Sequence, residues 1–146
     1  MIQLINERIL DVEDGLIVCD SRPADILNMA VKQKYPNIRK NIDLELGSCH
    51  IAYINEDSTL AVAFLSFMDD NENTQLDKLK ESLERLKEIV DLNKNKCFDK
   101  IIFPYGFGCN GTGDNWGKIM QLIELFAEQV DKKLYFMQIK RGASFE

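Results

Sequence analysis

Apolar residues along this chain follow two different patterns. Six short runs are rich in Val, Ile, Phe and Tyr and are bounded by Gly, Asn or Asp, which is typical of β-strands. In chain order these runs are IQLI, GLIVCD, CHIAYIN, TLAVAFLSF, KIIFPY and KLYFMQIK, beginning at Ile2, Gly15, Cys49, Thr59, Lys100 and Lys133. The segments between several of them are longer, and their apolar residues recur every three or four positions, which predicts amphipathic helices.

Three helices are predicted in this way. The first covers roughly 23–34, with Ser21 or Asp25 as its N-cap, and ends before Tyr35 because the proline that follows restricts that residue. The second follows a capping Thr74, and its charged face is interpreted as solvated surface. The third is capped by Asp114 or Asn115. The apolar stripes of the last two helices are Leu76, Leu79, Leu83, Leu86, Ile89 and Val90, then Trp116, Ile119, Met120, Ile123, Phe126 and Val130.

The resulting order of elements is β-β-α-β-β-α-β-α-β. Strands interleaved with helices predict an α/β fold with three layers, a mixed sheet covered by helices on both faces. The length of 146 residues fits a single domain spanning 1–146. In such folds ligands collect at the carboxyl ends of strands, where loops meet helix N-termini.

Composition narrows the classes of partner. The formal charge of -6 and a pI near 4.9 argue against nucleic-acid binding through a basic patch. The sequence shows neither a signal peptide nor an apolar run of membrane-spanning length, so a cytoplasmic protein without a membrane partner is expected. Four cysteines without a C-x-x-C pair are expected to be reduced thiols, and neither a metal nor a cofactor is predicted.

Half of the eight glycines lie in the segment that follows KIIFPY, at Gly106, Gly108, Gly111 and Gly113. Glycine permits positive φ and lacks a Cβ, so successive backbone N–H groups can converge on one point just before a helix N-terminus. Such a concavity binds phosphate. The alternative is a tight strand-to-helix turn without a ligand.

Two familiar phosphate motifs are excluded. The letters GFGCNG match the dinucleotide fingerprint, but they lie late in the chain, and the next strand ends in Lys140 and Arg141 instead of an acidic residue. The letters GCNGTG have the glycine spacing of a P-loop, yet Asp114 and Asn115 stand where Lys and Ser or Thr are required.

The segment PYGFGCNGTGDNWGKI resembles the second ligand loop of macro domains, which bind ADP-ribose and related molecules. The KYP that closes the first helix, the step LELGSCHIAYIN and the helix before KIIFPYG extend the resemblance over nearly the whole chain. By this resemblance, residues 106–113 would wrap a diphosphate and the distal ribose with backbone N–H groups. The residues concerned are Gly106, Phe107, Gly108, Cys109, Asn110, Gly111, Thr112 and Gly113. A Gly108→Glu substitution is then predicted to fill and repel the anion site.

The loop facing this segment departs from the family. Macro domains usually carry an Asn- and Gly-rich loop after the second strand, whereas this chain has the shorter CDSRPADIL. Asp20 and Ser21 are the ligand-binding candidates there, and Arg22 is a candidate cation for phosphate. Glu7 stands nearest to the family's early Asp, which accepts a hydrogen bond from the adenine amino group.

The resemblance leaves three functions open. The first is a module that binds ADP-ribose or a related nucleotide-sugar diphosphate, free or attached to a macromolecule. The second is a hydrolase that removes ADP-ribose from an acceptor or phosphate from ADP-ribose phosphate. The Lys and Asp of one hydrolase branch are absent, since SFMDD and Thr112 occupy those places, but Asp20, Asp69 or Asp114 could activate water. The third is a degenerate macro fold that binds another small nucleotide or a protein.

Overall fold

The computed structural model describes residues 2–23, 25–38, 43–55, 57, 59–92, 96–108 and 115–139. All six predicted strands are present, as β1 (Ile2–Arg8), β2 (Gly15–Asp20), β3 (Cys49–Tyr53), β4 (Leu60–Leu65), β5 (Lys100–Pro104) and β6 (Lys133–Gln138). The three predicted helices are α1 (Ile26–Lys34), α2 (Glu72–Leu92) and α3 (Trp116–Val130). Short 3-10 helices at Ile9–Asp11 and Lys96–Asp99 precede β2 and β5.

The strands form one six-stranded sheet in the order β1-β6-β5-β2-β4-β3. Neighbouring strands are parallel except at one edge, where β3 runs antiparallel to β4. The sheet is therefore mixed, as the sequence predicted. Five strands consequently end at the same edge of the sheet, and that edge also receives the loops leading into the helices.

Helices cover both faces of the sheet, which confirms the three-layer α/β prediction. On one face, α2 and α3 bury Leu79, Leu86 and Ile123 against the sheet. On the other, α1 and the first 3-10 helix bury Val31 and Ile9. Because both faces are covered, every residue of β2 and β4 is buried, and these strands read as continuous apolar runs without alternation. No described helix combines the length and the apolar character needed to cross a membrane.

The start of α1 agrees with one of the two predicted caps. The Asp25 carboxylate accepts a hydrogen bond from the Asn28 N–H at 3.0 Å, so Asp25 is the N-cap. Ser21 serves another purpose, because its backbone N–H donates to the Leu65 carbonyl at 2.9 Å and extends the pairing of β2 with β4.

The predicted caps of the other two helices need correction. Thr74 does not cap α2, since the helix begins at Glu72 and the Asn71 side chain accepts the Thr74 N–H at 3.1 Å. The apolar stripe of α2 starts at Leu76, four residues after the helix begins. A cap predicted from that stripe is therefore three residues too late. Asn115 is the N-cap residue of α3 by position, but its side chain makes no capping hydrogen bond. Asp114 lies outside the described residues.

Candidate ligand-binding site

The sheet has a switch point between β2 and β5. From β2 the chain passes through α1 to β3 and β4 on one side, whereas from β5 it passes through α3 to β6 on the other. Crossovers that leave two adjacent parallel strands in opposite directions create a crevice outside the carboxyl ends of those strands. The candidate site is this crevice, flanked by loop 20–23 after β2 and loop 105–108 after β5.

The pairing of the strands shows the same opening. β2 pairs with β4 along all six of its residues, from Gly15 to Asp20. In contrast, β2 and β5, both described over their whole length, pair only where Leu16 and Ile17 meet Ile101 and Ile102. The two strands therefore separate toward their carboxyl ends, where the candidate loops begin.

Loop 105–108 is anchored in the core by the side chain of Phe107. Phe107 is 3% exposed, and its ring centroid lies 5.1 Å from that of Phe67 and 5.5 Å from that of Phe103. The Phe107 N–H donates to the Pro104 carbonyl at 3.1 Å and closes a turn. Because the Phe107 side chain faces inward and its N–H closes the turn, position 107 anchors the loop and offers a ligand neither its side chain nor its N–H.

The two glycines beside Phe107 have different surroundings. Both have positive φ, +81° at Gly106 and +78° at Gly108, a region that favours glycine. A Cβ on Gly108 would lie 3.1 Å from both Ile119 Cδ1 and Phe67 Cε2, whereas a Cβ on Gly106 would meet none of the described atoms within 4 Å. Gly108→Glu would therefore strike the core before any ligand, which corrects the sequence-based design. Gly106 is the position that opens outward.

A glutamine that the sequence analysis did not select holds this loop from the neighbouring helix. Gln75 of α2 is 5% exposed, and its Nε2 donates to the Gly108 carbonyl at 3.3 Å. Its sequence signal is a polar residue four positions before Leu79, on the apolar stripe of α2. The other predicted loop residues, Cys109, Asn110, Gly111, Thr112 and Gly113, lie outside the described residues.

Loop 20–23 contains a buried carboxylate paired with an arginine. Asp20 is 3% exposed, and one of its oxygens accepts the Arg22 backbone N–H at 2.9 Å. The other oxygen accepts Arg22 Nε at 2.9 Å and Nη2 at 2.8 Å. Burial of a carboxylate is costly unless the charge is paired, and here both oxygens are engaged. Asp20 is thus poorly placed to take a proton from water.

The start of α1 lies directly behind this pair. Asn28 is fully buried, and its Nδ2 donates to the Asp20 carbonyl at 2.8 Å, while no described residue hydrogen-bonds its Oδ1. Burial raises the pKa of Asp25, which caps the helix. Burial, together with the nearby carboxylates of Asp25 and Asp20, raises the pKa of the Cys19 thiol well above its usual range. Cys19 is therefore a packed thiol and a poor nucleophile.

The remaining candidates lie apart from one another. Asp69 accepts the Asn71 N–H at 2.8 Å and closes the turn before α2, so it acts as a turn residue. Glu7 is exposed on β1, and β6 lies between that strand and β5. The lateral distance from Glu7 to β5 is therefore roughly 10 Å, two strand spacings. Asp114 lies outside the described residues.

The fold and the crevice define a class of protein. They are those of a three-layer α/β protein that presents a candidate ligand site at the switch point of a mixed sheet. No protein-family model matches the sequence, and no curated protein matches it significantly. The structure, however, is similar to solved macrodomains.

Three of these solved structures show how similar they are to this chain. The alphavirus P23pro-zbd structure gives a TM-score of 0.73 at 14% identity, over 96% of this chain and 22% of that chain. The macrodomain of Mycobacterium tuberculosis DarG gives a TM-score of 0.72 at 13% identity, over 94% of this chain and 97% of that chain. A mutant Oceanobacillus iheyensis macrodomain with ADPR gives a TM-score of 0.58 at 14% identity, over 94% of this chain and 84% of that chain. This chain thus spans about a fifth of the alphavirus protein and nearly all of the DarG macrodomain. It has the macrodomain fold.

Proposed function

We propose that this protein is a macrodomain-family member that binds ADP-ribose or a related nucleotide-sugar diphosphate in the crevice between β2 and β5. The observation that carries the proposal is loop 105–108, which has left-handed glycines at Gly106 and Gly108 and lies at the switch point of the sheet. The Tyr105 and Phe107 N–H groups are donated within the fold, and positive φ at the two glycines can turn their own N–H groups toward an anion. One structure with the same fold, the Oceanobacillus iheyensis macrodomain, was solved with ADPR.

An anionic ligand must be held here by local groups, backbone dipoles among them, rather than by the overall field, since the chain carries a formal charge of -6. The α3 helix begins shortly after the glycine segment, and the side chain of its N-cap Asn115 makes no capping hydrogen bond. A helix N-terminus favours negative charge through its dipole and its first N–H groups. The same contacts would serve free ADP-ribose and an ADP-ribosyl group on a macromolecule.

Isothermal titration calorimetry with ADP-ribose tests the proposal. Gly106→Glu is the diagnostic variant, because its side chain extends from the position where a Cβ meets no described atom and brings a negative charge to the loop. Gln121→Glu, an exposed substitution on α3, adds the same charge away from the crevice. We expect Gly106→Glu to weaken ADP-ribose binding by at least about tenfold, the effect of losing one hydrogen bond to a charged phosphate group. We expect Gln121→Glu to leave the affinity unchanged.

Circular dichroism and thermal melting would establish that both variants fold. Absence of any heat with millimolar ADP-ribose and wild-type protein would contradict the proposal. Undiminished affinity in a folded Gly106→Glu variant would show that loop 105–108 is not part of the binding site.

We propose no catalytic role for Asp20 or Asp69. The Asp20 carboxylate is occupied by Arg22, and the Asp69 carboxylate closes a turn. A general base needs a carboxylate oxygen within hydrogen-bond reach of the reacting water. The hydrolase hypothesis therefore receives no support from these two candidates.

A further inference from the structure

We propose that two copies of this protein form a two-fold symmetric dimer through the outer face of α2 and α3, with Lys80 of each protomer opposite Glu84 of its partner. This inference goes beyond the proposed function and does not depend on it, because the face lies on the helices and not in the crevice between β2 and β5. A groove runs between the two helices on this face, and we call it the α2–α3 groove. Its lining residues are Lys80, Leu83, Glu84, Leu122, Leu125, Phe126 and Gln129.

The α2–α3 groove combines an apolar recess with an exposed apolar side chain. The recess has a volume of about 240 Å³. Leu83 and Phe126 are its buried residues, at 4% and 3% exposed, whereas Leu125 beside them is 43% exposed. A single exposed leucine needs no partner, but here a projecting side chain and a recess lie on the same face. In a two-fold interface one patch serves both protomers, so each Leu125 can pack at the recess of the other protomer.

The charges along the groove complement those of a second copy. Lys80 and Glu84 are both exposed and lie one turn apart on α2. Neither forms an ion pair with any residue that the structure describes. Within a helix, a pair at this spacing is weaker when the lysine precedes the glutamate, as it does here. A second molecule that presents a glutamate to Lys80 and a lysine to Glu84 therefore fits this stretch of α2.

A two-fold axis supplies that second molecule. If the axis lies in the interface and crosses α2 midway between Lys80 and Glu84, the two copies of α2 run antiparallel. Lys80 of each protomer then faces Glu84 of its partner, and the contact occurs twice. A parallel pairing in register would instead place like charges opposite each other. Because complementary charges fix the orientation of a complex more than its affinity, this pair of residues selects the antiparallel dimer.

The size of the face predicts a weak dimer. Helices α2 and α3 have 21 and 15 residues. They are therefore about 30 and 22 Å long, and packed helices lie about 8–10 Å apart. The resulting footprint of roughly 600 Å² per protomer is small for a specific interface, so we expect a dissociation constant of about 0.1 to 1 mM. The charge of -6 on each protomer opposes association, but salt at about 0.15 M screens charges more than about 8 Å apart.

Sedimentation equilibrium at up to about 1 mM protein in about 0.15 M salt tests the dimer. The mean mass of the wild-type protein should rise from 16.8 kDa toward twice that value. Lys80→Glu and Glu84→Lys should each raise the dissociation constant at least about tenfold, because each turns two attractive contacts into two repulsive ones. An equimolar mixture of these two variants should associate as well as wild type, since every contact between them again joins opposite charges.

The matched control is Lys133→Glu, the same change of charge at an exposed residue of β6, which should leave the dissociation constant unchanged. Circular dichroism would establish that all variants fold. Wild-type protein that stays monomeric at about 1 mM would overturn the proposal. A mixture that associates no better than its separate components would also overturn it, because any dimer would then form through another face. Equal weakening in Lys133→Glu would overturn it too, since it would indicate an effect of net charge.

Discussion

Alanine substitution at the two described glycines of loop 105–108 should separate backbone strain from core packing. Both glycines have nearly the same positive φ, +81° at Gly106 and +78° at Gly108. An added methyl group at Gly106 would contact none of the described atoms within 4 Å, whereas at Gly108 it would lie 3.1 Å from Ile119 and Phe67 side-chain carbons. Both variants therefore carry the cost of a left-handed backbone conformation, but only Gly108→Ala also carries the cost of crowding the core.

The shared cost is the left-handed conformation of a residue with a Cβ, about 1 kcal/mol. The additional cost at Gly108 is overpacking of a fully buried region, about 1 to 3 kcal/mol, because both Phe67 and Ile119 are 0% exposed and have little room to move. We therefore expect Gly106→Ala to lower the free energy of unfolding by about 1 kcal/mol and Gly108→Ala by about 2 to 4 kcal/mol.

Urea unfolding followed by tryptophan fluorescence measures both values, since Trp116 is the only tryptophan and lies at the start of α3. For a chain of this length, Tm should fall by roughly 2 to 4 °C per kcal/mol. Equal destabilisation of the two variants would refute the reasoning, because it would mean that the core accommodates the Gly108 methyl group without cost. A larger loss at Gly106 would show that the outward position is packed.

Three further outcomes follow from the surroundings of single side chains. Burial raises the pKa of Asp25 from its ordinary 3.8, so the stability that its neutral form contributes is lost as pH rises through the raised pKa. Asp25→Asn keeps a capping oxygen and does not ionise. In urea unfolding at pH 3 to 7, this variant should therefore gain stability relative to wild type as the pH rises. A constant difference with pH would contradict this. Gln75→Met should destabilise the fold by about 1 kcal/mol in the same assay, because the Gly108 carbonyl loses its donor, and an unchanged midpoint would show that bond to be dispensable. Burial raises the pKa of Cys49 to about 12 and that of Cys19 well above its usual range, so little thiolate forms at either residue. Mass spectrometry should therefore find both labelled only slowly by iodoacetamide until urea is added, and rapid labelling in the native protein would contradict the raised pKa values.

The local patterns of the sequence predicted the elements and the fold class well. Strands and helices follow from side-chain periodicity, which is a property of neighbouring residues. The prediction of the α2 cap failed because two nearby residues are both suitable N-caps. Asn71 is the cap, and Thr74 lies three residues later, inside the helix. Helix ends depend on single hydrogen bonds, and periodicity does not resolve them.

The tertiary structure decided which candidate residues share a site. The order of strands in the sheet brings β2 beside β5 although about 80 residues separate them along the chain, and this adjacency alone creates the crevice. It also distinguished the inward Gly108 from the outward Gly106, which look alike in the sequence.

The sequence by itself therefore determined the α/β architecture, the glycine segment before α3 and the shortened loop after β2, since each is encoded in contiguous residues. Burial of Asp20 beneath Arg22 and the contact of Gln75 with Gly108 were decided only by the packed chain. Both depend on which distant segments exclude water from a polar group, and that information is absent from any local stretch of residues.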